Sequence, residues 1–426
     1  MKNYKIVTLG CKVNQYETAA VEELLAKEGY EKTEKAADVC IINTCTVTHT
    51  SDRKSRQWIA RFRRENPDAV VVVMGCYAQV AQEELQARND VDLIIGTKDK
   101  DLLPQLLKER EETGRQSLVR DFSSDTDYTE MEISQAHERT RATLKVQDGC
   151  NQFCSYCIIP FARGPVRSRS YGAVKEELQR LAAAGFKEVV LTGIHLASYA
   201  DKAHRLTDII ALAQQTEGIE RIRLSSLEPK IVTESFVTRL LASPKLCDHF
   251  HLSLQSGSDT VLARMERKYT TEDYRNSLER LRKAYPQVGL TTDIIAGFPG
   301  ETDEEWEETL RFVKDCRLSR LHVFTYSPRK GTKAAAMPKQ VRPEIKKARN
   351  AQMIALGHKL SDAFLQQQIG HTLEVLTEEE KEPGIWTGYA KNYVPVEIAA
   401  NTGPNVIKAV RIVDTQGEFA LGAPVE

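Results

Sequence analysis

The sequence predicts a multidomain α/β protein. An N-terminal parallel α/β sheet domain leads into a central partial (β/α)6 barrel, and a small antiparallel β-barrel closes the chain. Three observations predict this. At 426 residues the chain exceeds what one hydrophobic core serves. Two successive series of β-branched apolar runs alternate with amphipathic stretches, the pattern of parallel sheets covered by helices. After Ile369 the texture changes to short strands separated by Gly, Pro and Asn.

The first series, residues 1–113, begins with the strand YKIVTL and a helical pattern from Glu17. A strand from Val39 to Asn43, a helix through Arg64 and the strand VVVVM follow. A helix near Gln82, the strand DLIIG and a helix over Leu102 to Leu107 complete it. Residues 114–140 include the acidic, polar run SSDTDYTEMEISQ and read as a linker or mobile flap.

The second series spans 141–369. Its strands are ATLKVQDG, EVVLTG, RIRLSS, HFHLSL, GLTTDIIAGF and LHVFTYS. Between them lie helices over Val174 to Ala184, Leu206 to Gln214, Glu234 to Leu241, Glu272 to Lys283 and Asp303 to Asp315. Six strands with five crossovers ahead of a long helix from Arg342 suit a partial barrel better than a closed eight-stranded one. In 370–426, HTLEVLTEE, GIWTGYA, YVPVEIA, NVIKAVRIV and GEFALG form a barrel of the oligonucleotide-binding kind, expected to be an appended unit.

Hydrophobic content of 41% and charged content of 28% exclude disordered, collagenous and coiled-coil classes. The N-terminus reads as a strand rather than a signal peptide, and no apolar stretch reaches membrane-spanning length, so a cytoplasmic protein with no membrane partner is expected. In that compartment nine cysteines point to metal binding or catalysis more than to disulfides. A net charge of -1 means that nucleic acid would be met by local patches. Candidates are the helix bearing Arg53, Lys54, Arg56, Arg61, Arg63 and Arg64, the trio Arg163, Arg167 and Arg169, and the tail hairpin with Tyr389, Lys391, Asn392 and Tyr393.

The cysteines carry the chemistry. Cys150, Cys154 and Cys157 form CxxxCxxC, a loop that wraps three thiolates around one face of a cubane. The fourth iron stays open to the amino and carboxylate groups of S-adenosylmethionine, whose reductive cleavage yields a 5′-deoxyadenosyl radical. A zinc knuckle or simple ferredoxin would need a fourth ligand, and none follows nearby. Cys11, Cys45 and Cys76 each follow a predicted strand of the first domain. Loops after parallel strands share one sheet edge, so these thiols converge and fit a second cluster. Cys40, Cys247 and Cys316 fit buried small hydrophobes.

The segments TLGCKVNQYET, INTCTVT, MGCYAQ, DGCNQFCSYCIIPFARG, LTGIHL, SSLEP and HLSLQSGSD resemble the methylthiotransferases of the radical S-adenosylmethionine superfamily along essentially the whole chain. LGCKVNQYET, LTGIHL and SSLEP resemble the MtaB-type branch, which acts on N6-threonylcarbamoyladenosine at position 37, beside the tRNA anticodon. The resemblance implies two [4Fe-4S] clusters: an auxiliary one on Cys11, Cys45 and Cys76, and a radical one on Cys150, Cys154 and Cys157. It also implies S-adenosylmethionine as methyl donor and radical source, a C-terminal TRAM barrel, the tRNA anticodon stem-loop as substrate, and a reducing donor such as flavodoxin or ferredoxin. For cofactor contact it points to Tyr156 and Gly193. Ser253, Gln255 and Asp293 join them as polar residues near strand ends of the barrel. The competing readings are methylthiolation of another adenosine derivative or of a ribosomal-protein aspartate, and a non-catalytic iron-sulfur sensor that binds RNA.

Overall fold

The computed structural model describes residues 2–122, 127–133 and 140–425. The first domain is a six-stranded sheet with every pairing parallel. Its strands run Glu31–Lys32, Asn3–Thr8, Val39–Thr44, Val70–Gly75, Leu93–Ile95 and Gln116–Leu118 across the sheet. Alternate side chains feed two cores. Ile41, Val72 and Leu93 pack beneath helices Lys12–Lys27 and Leu103–Thr113, and Cys40, Ile42 and Val71 pack beneath helix His49–Glu65. Cys40 is therefore core, as are Cys247 and Cys316 further on.

The sheet runs past residue 113. Gln116–Leu118, within the expected linker, supplies the edge strand. Residues 123–126 and 134–139 of the expected flap lie outside the described residues. Its described part is tied down: Tyr16 donates to the Met131 carbonyl, Tyr128 donates to the Lys145 carbonyl at 3.1 Å, and Met131 and Ile133 join the first core.

Six parallel strands build the second domain: Arg141–Asp148, Glu188–Gly193, Arg221–Leu224, His249–His251, Gly289–Ala296 and Arg320–Thr325. The first three and the last three pair in chain order, and a Leu227–Leu252 bridge joins the two sheets into an open barrel. The five crossover helices occur where the periodicity puts them, within a few residues. Those at Thr271–Ala284 and Asp303–Cys316 start in reciprocal caps, Thr270 with Asp273 and Thr302 with Glu305.

Strand alternation divides this barrel sharply. Leu144, Leu191, Ile222, Phe250 and Leu290 face out into the apolar core beneath the helices. Their neighbours Lys145, Thr192, Arg223, His251, Thr291 and His322 fall on the opposite face, so the lumen is polar. Such a lumen is built to hold a ligand rather than to pack as a core.

The C-terminal barrel closes in the order Thr372–Glu382, Ile385–Ala390, Pro395–Ala399, Phe419–Pro424, Ile407–Gln416. Four of its five pairings are antiparallel. The fifth, Pro395–Ala399 with Phe419–Pro424, is parallel, which corrects the all-antiparallel expectation. Nor is this barrel a loosely appended unit. Its hairpin at 389–394 plugs the N-terminal end of the six-stranded barrel: Arg221 donates to the Tyr389 carbonyl at 3.1 Å and Arg223 to the Lys391 carbonyl at 3.0 Å. Tyr393 stacks on His249 with ring centres 4.5 Å apart. Gly289 shows how close the docking is, since a Cβ there would lie 2.0 Å from the Asn392 carbonyl oxygen. The RNA contact expected of this hairpin is thus replaced by a domain interface.

Among the described residues, no helix is long and apolar enough to cross a membrane.

Candidate active site at the domain interface

Cys11, Cys45 and Cys76 stand at the C-terminal ends of three adjacent strands. Gly10, at φ +105°, makes the close approach: a Cβ there would lie 2.8 Å from the Cys45 Cβ. Asn14 ties the first two loops together, donating to the Leu9 carbonyl at 2.7 Å and the Thr44 carbonyl at 3.0 Å. Cys76 opens the short helix Cys76–Val80 after Gly75, whose φ is +100°. Burial pushes the Cys76 thiol up to about 11, and Cys45 and Cys11 push the same way while Arg163 opposes them. Burial likewise raises Cys45. A metal centre bound there would hold these thiols as thiolates.

Cys150, Cys154 and Cys157 lie in the loop after the first strand of the partial barrel. Gly149, at φ +72°, lets the loop pass so close to the next segment that a Cβ would meet the Pro165 carbonyl oxygen at 1.8 Å. Arg267 donates to the Cys154 sulfur at 3.1 Å, and the Gln152 amide donates to the Cys150 sulfur at 3.4 Å. Burial raises Cys150, and it pushes Cys157 up to about 12. All nine cysteines are free thiols. Among the described residues no three His, Cys, Asp or Glu side chains are spaced for a single metal ion. A four-iron cubane spreads its thiolates wider than one ion does.

Arg163 joins the two edges. It ends the short helix Ile159–Arg163 just after Cys157, and its Nε donates to the Cys76 sulfur at 3.3 Å. Its other nitrogens reach Glu17 at 2.9 Å, Asp148 at 3.1 Å and Asn14 at 2.7 Å. Lys100 and Lys145 also bind Glu17, and Lys145 and Arg167 pair with Asp148. This buried network sets four cations against two carboxylates. The cationic surplus, beside the Cys76 thiol, fits an anionic cluster held by Cys11, Cys45 and Cys76. The nucleic-acid reading of Arg163, Arg167 and Arg169 is accordingly wrong. All three are buried, and Arg169 is held by Glu130 at 2.6 Å and by Glu177. On the basic helix, Arg53, Lys54, Arg61 and Arg64 are exposed, whereas Arg61 pairs with Glu65, Arg63 with Asp92 and Arg56 with Glu84.

The remaining predicted residues surround the lumen. Tyr156 packs beside Phe298 and Met265. Gly193 ends its strand against Gln147, where a Cβ would lie 2.7 Å from Oε1, so the fold itself requires that glycine. The Ser253 carbonyl accepts from Tyr269 at 2.5 Å, and Gln255, at φ +72°, donates its amide to the Asp293 carbonyl at 2.9 Å. The Asp293 carboxylate faces His251 at 3.2 Å. At the ends of successive strands, His195 Nε2 faces Glu228 Oε2 at 3.4 Å and Glu228 Oε1 faces Arg267 at 3.8 Å, while among the described residues the buried Ser225 Oγ has no hydrogen-bond partner. A buried hydroxyl left without a partner beside these charged groups fits a polar cofactor such as S-adenosylmethionine. Sequence reasoning missed Glu17, Arg267, His195, Ser225 and Glu228.

Comparison with known proteins agrees with this architecture. Residues 144–313 match the radical SAM superfamily, and residues 3–96 match the family described as uncharacterized protein family UPF0004. Threonylcarbamoyladenosine tRNA methylthiotransferase MtaB of Bacillus subtilis (strain 168) is 44% identical over 91% of this chain and 88% of its own length. The protein of the same name from Aquifex aeolicus (strain VF5) is 40% identical over 88% of this chain and 92% of its own. The tRNA-2-methylthio-N(6)-dimethylallyladenosine synthase of Pelotomaculum thermopropionicum is 36% identical over 98% and 96%. Among solved structures, the radical S-adenosylmethionine methyltransferase TsrM from Kitasatospora setae, with cobalamin and a [4Fe-4S] cluster bound, aligns over 78% of this chain and 77% of that one. Its TM-score is 0.57 at 16% identity, a likeness of fold alone. Superfamily membership brings one [4Fe-4S] cluster and S-adenosylmethionine. The chain is an enzyme and belongs to the methylthiotransferase family of the radical S-adenosylmethionine superfamily.

Proposed function

We propose that this enzyme inserts a methylthio group at C2 of N6-threonylcarbamoyladenosine at position 37 of cytoplasmic tRNA, giving 2-methylthio-N6-threonylcarbamoyladenosine. The observation that carries the reading is the pair of three-cysteine edges linked by one buried arginine, Arg163, across a domain interface. The names of the relatives at 44% and 40% identity support the choice of nucleoside.

In this reading Cys150, Cys154 and Cys157 hold the radical cluster and Cys11, Cys45 and Cys76 an auxiliary cluster. Bound there, the clusters and S-adenosylmethionine supply hydrogen-atom abstraction from an unactivated C–H and a sulfur to replace it. Arg267 and Arg163 place a positive charge against one thiolate of each triplet, which favours the ligated form. Gln147, Gly193, Ser225 and Glu228 shape the cofactor end of the lumen, with Tyr156, Ser253, Gln255 and Asp293 around it. The division of labour is an auxiliary-cluster sheet that runs through the edge strand Gln116–Leu118, a radical domain over 141–369 and a TRAM-like barrel over 370–426. The exposed Arg53, Lys54 and Arg64 offer a phosphate-binding face, and a flavodoxin or ferredoxin supplies electrons.

The test is nucleoside mass spectrometry of tRNA from cells with and without the gene. Loss of 2-methylthio-N6-threonylcarbamoyladenosine alone supports the reading. Loss of the dimethylallyl derivative, or an altered ribosomal protein with unchanged tRNA, contradicts it.

A further inference from the structure

The relatives act on adenosines whose N6 substituents differ in charge. By their names, one group takes a threonylcarbamoyl group, which ends in a carboxylate, and the other a dimethylallyl group, which is neutral and apolar. The lumen of this chain must therefore carry something that distinguishes an anion from a hydrocarbon.

Its floor is cationic. Arg223 lies 4.8 Å from the Tyr393 ring centre, Arg141 lies 5.6 Å from it, and His249 stacks on the same ring. Most of these cations are already engaged. Arg221 and Arg223 share Glu188 at 2.8 Å, and Arg141 pairs with Glu378 at 2.7 Å. Lys12 is not: among the described residues it has no ion pair or hydrogen bond. It enters from the auxiliary domain, directly after Cys11, at the start of the helix that lies against strand Arg141–Asp148. The residue keeps solvent exposure, but its ammonium end lies in buried surroundings: burial, Arg141 and Arg223 lower its pKa while Tyr393 and Glu188 oppose them, and its charge in turn reaches Tyr393, His249 and His322. Burial alone would raise the Tyr393 phenol, but Arg141, Lys12 and Arg223 bring it below its ordinary value. Among the described residues the His322 side chain likewise has no hydrogen bond, and its ring lies 5.6 Å from that of His251. A space with a free ammonium group, surrounded by cations and still open to solvent, suits an anionic group brought by the substrate.

Adenine geometry brings the two together. C2 must meet the cofactor end of the lumen, and the N6 substituent leaves the ring a third of a turn away, toward the floor. We propose that Lys12 binds the carboxylate of the threonylcarbamoyl group and is the residue that selects this anionic substituent over a neutral one. The proposal rests on the tRNA reading above.

The experiment measures dissociation constants of the reconstituted holoenzyme for three anticodon stem-loops, carrying N6-threonylcarbamoyladenosine, N6-dimethylallyladenosine or unmodified adenosine. Affinity ratios within one preparation are compared, so that any loss of active protein cancels, and iron content reports the neighbouring cluster. For Lys12→Gln, affinity for the threonylcarbamoyl stem-loop should fall about 10- to 100-fold, as expected for a lost hydrogen bond between charged groups, with the other two unchanged. Lys12→Arg should restore most of the preference. Wild-type protein with no preference for the threonylcarbamoyl stem-loop would sink the choice of nucleoside itself. Wild-type preference that survives in Lys12→Gln would overturn the role of Lys12 alone. Equal weakening toward all three stem-loops would assign Lys12 to a phosphate and overturn it as well.

Discussion

Glu17→Gln probes the junction between the two cysteine edges. Glu17 is 1% exposed and receives Lys100, Lys145 at 3.0 Å and Arg163 at 2.9 Å. Each hydrogen bond between charged groups contributes about 1.5–3 kcal/mol. Lys145 and Arg163 keep Asp148 as a second partner, while Lys100 has no other ion pair among the described residues. The net loss should therefore resemble that of a broken buried ion pair, about 3–5 kcal/mol, at the lower end because glutamine keeps the shape and one acceptor. The pH dependence has a definite sign. Although burial opposes it, Arg163, Lys100 and Lys145 hold the Glu17 carboxyl well below its ordinary value. The folded state thus binds fewer protons than the unfolded one. The contribution is fully present above about pH 4.3 and is lost as pH falls through the folded value. Anaerobic urea unfolding of wild type and variant from pH 7 downward reads both effects. A variant within about 1 kcal/mol of wild type at pH 7, or a difference that grows on acidification, would refute the reasoning.

Two further outcomes follow from close packing. Deleting the chain from Gly370 removes the carbonyl partners of Arg221 and Arg223, so the remaining domains should melt well below the full chain; equal melting temperatures would contradict the docked hairpin. Gly10→Ala forces a Cβ to within 2.8 Å of the Cys45 Cβ at a φ of +105°, so iron after reconstitution should drop from about eight to about four per chain while S-adenosylmethionine cleavage persists. Full iron in that variant would separate Gly10 from the auxiliary site.

The fold and the places of the two cysteine triplets at strand ends were legible because each leaves a local mark. Strands read as β-branched runs, and the triplet reads as CxxxCxxC. Cys11, Cys45 and Cys76 could be grouped because the topology of a parallel sheet brings loops together at one edge. Charges were less legible, since a basic residue looks alike whether it meets phosphate or a buried carboxylate. Arg163 and Arg169 find Glu17 and Glu177, 146 and 8 residues away, and spacing alone gives no hint of the first. The tail hairpin was misread for a similar reason, because the aromatic and cationic groups that stack on RNA also stack on Arg141 and His249. The polar lumen did leave a mark, in the alternation of RATLKVQD, RIRLSS and HFHLSL, where every second residue is polar.

The central claim is that both three-thiol edges serve one reaction, with sulfur transfer residing on the Cys11, Cys45 and Cys76 edge. The direct measurement is product analysis of anaerobically reconstituted wild type and the Cys11→Ala, Cys45→Ala, Cys76→Ala triple variant with S-adenosylmethionine, reductant and an N6-threonylcarbamoyladenosine stem-loop. Wild type should give both 5′-deoxyadenosine and the 2-methylthio nucleoside. The variant should retain about four iron per chain and form 5′-deoxyadenosine with no methylthio product. Methylthio nucleoside formed by the triple variant would contradict the account.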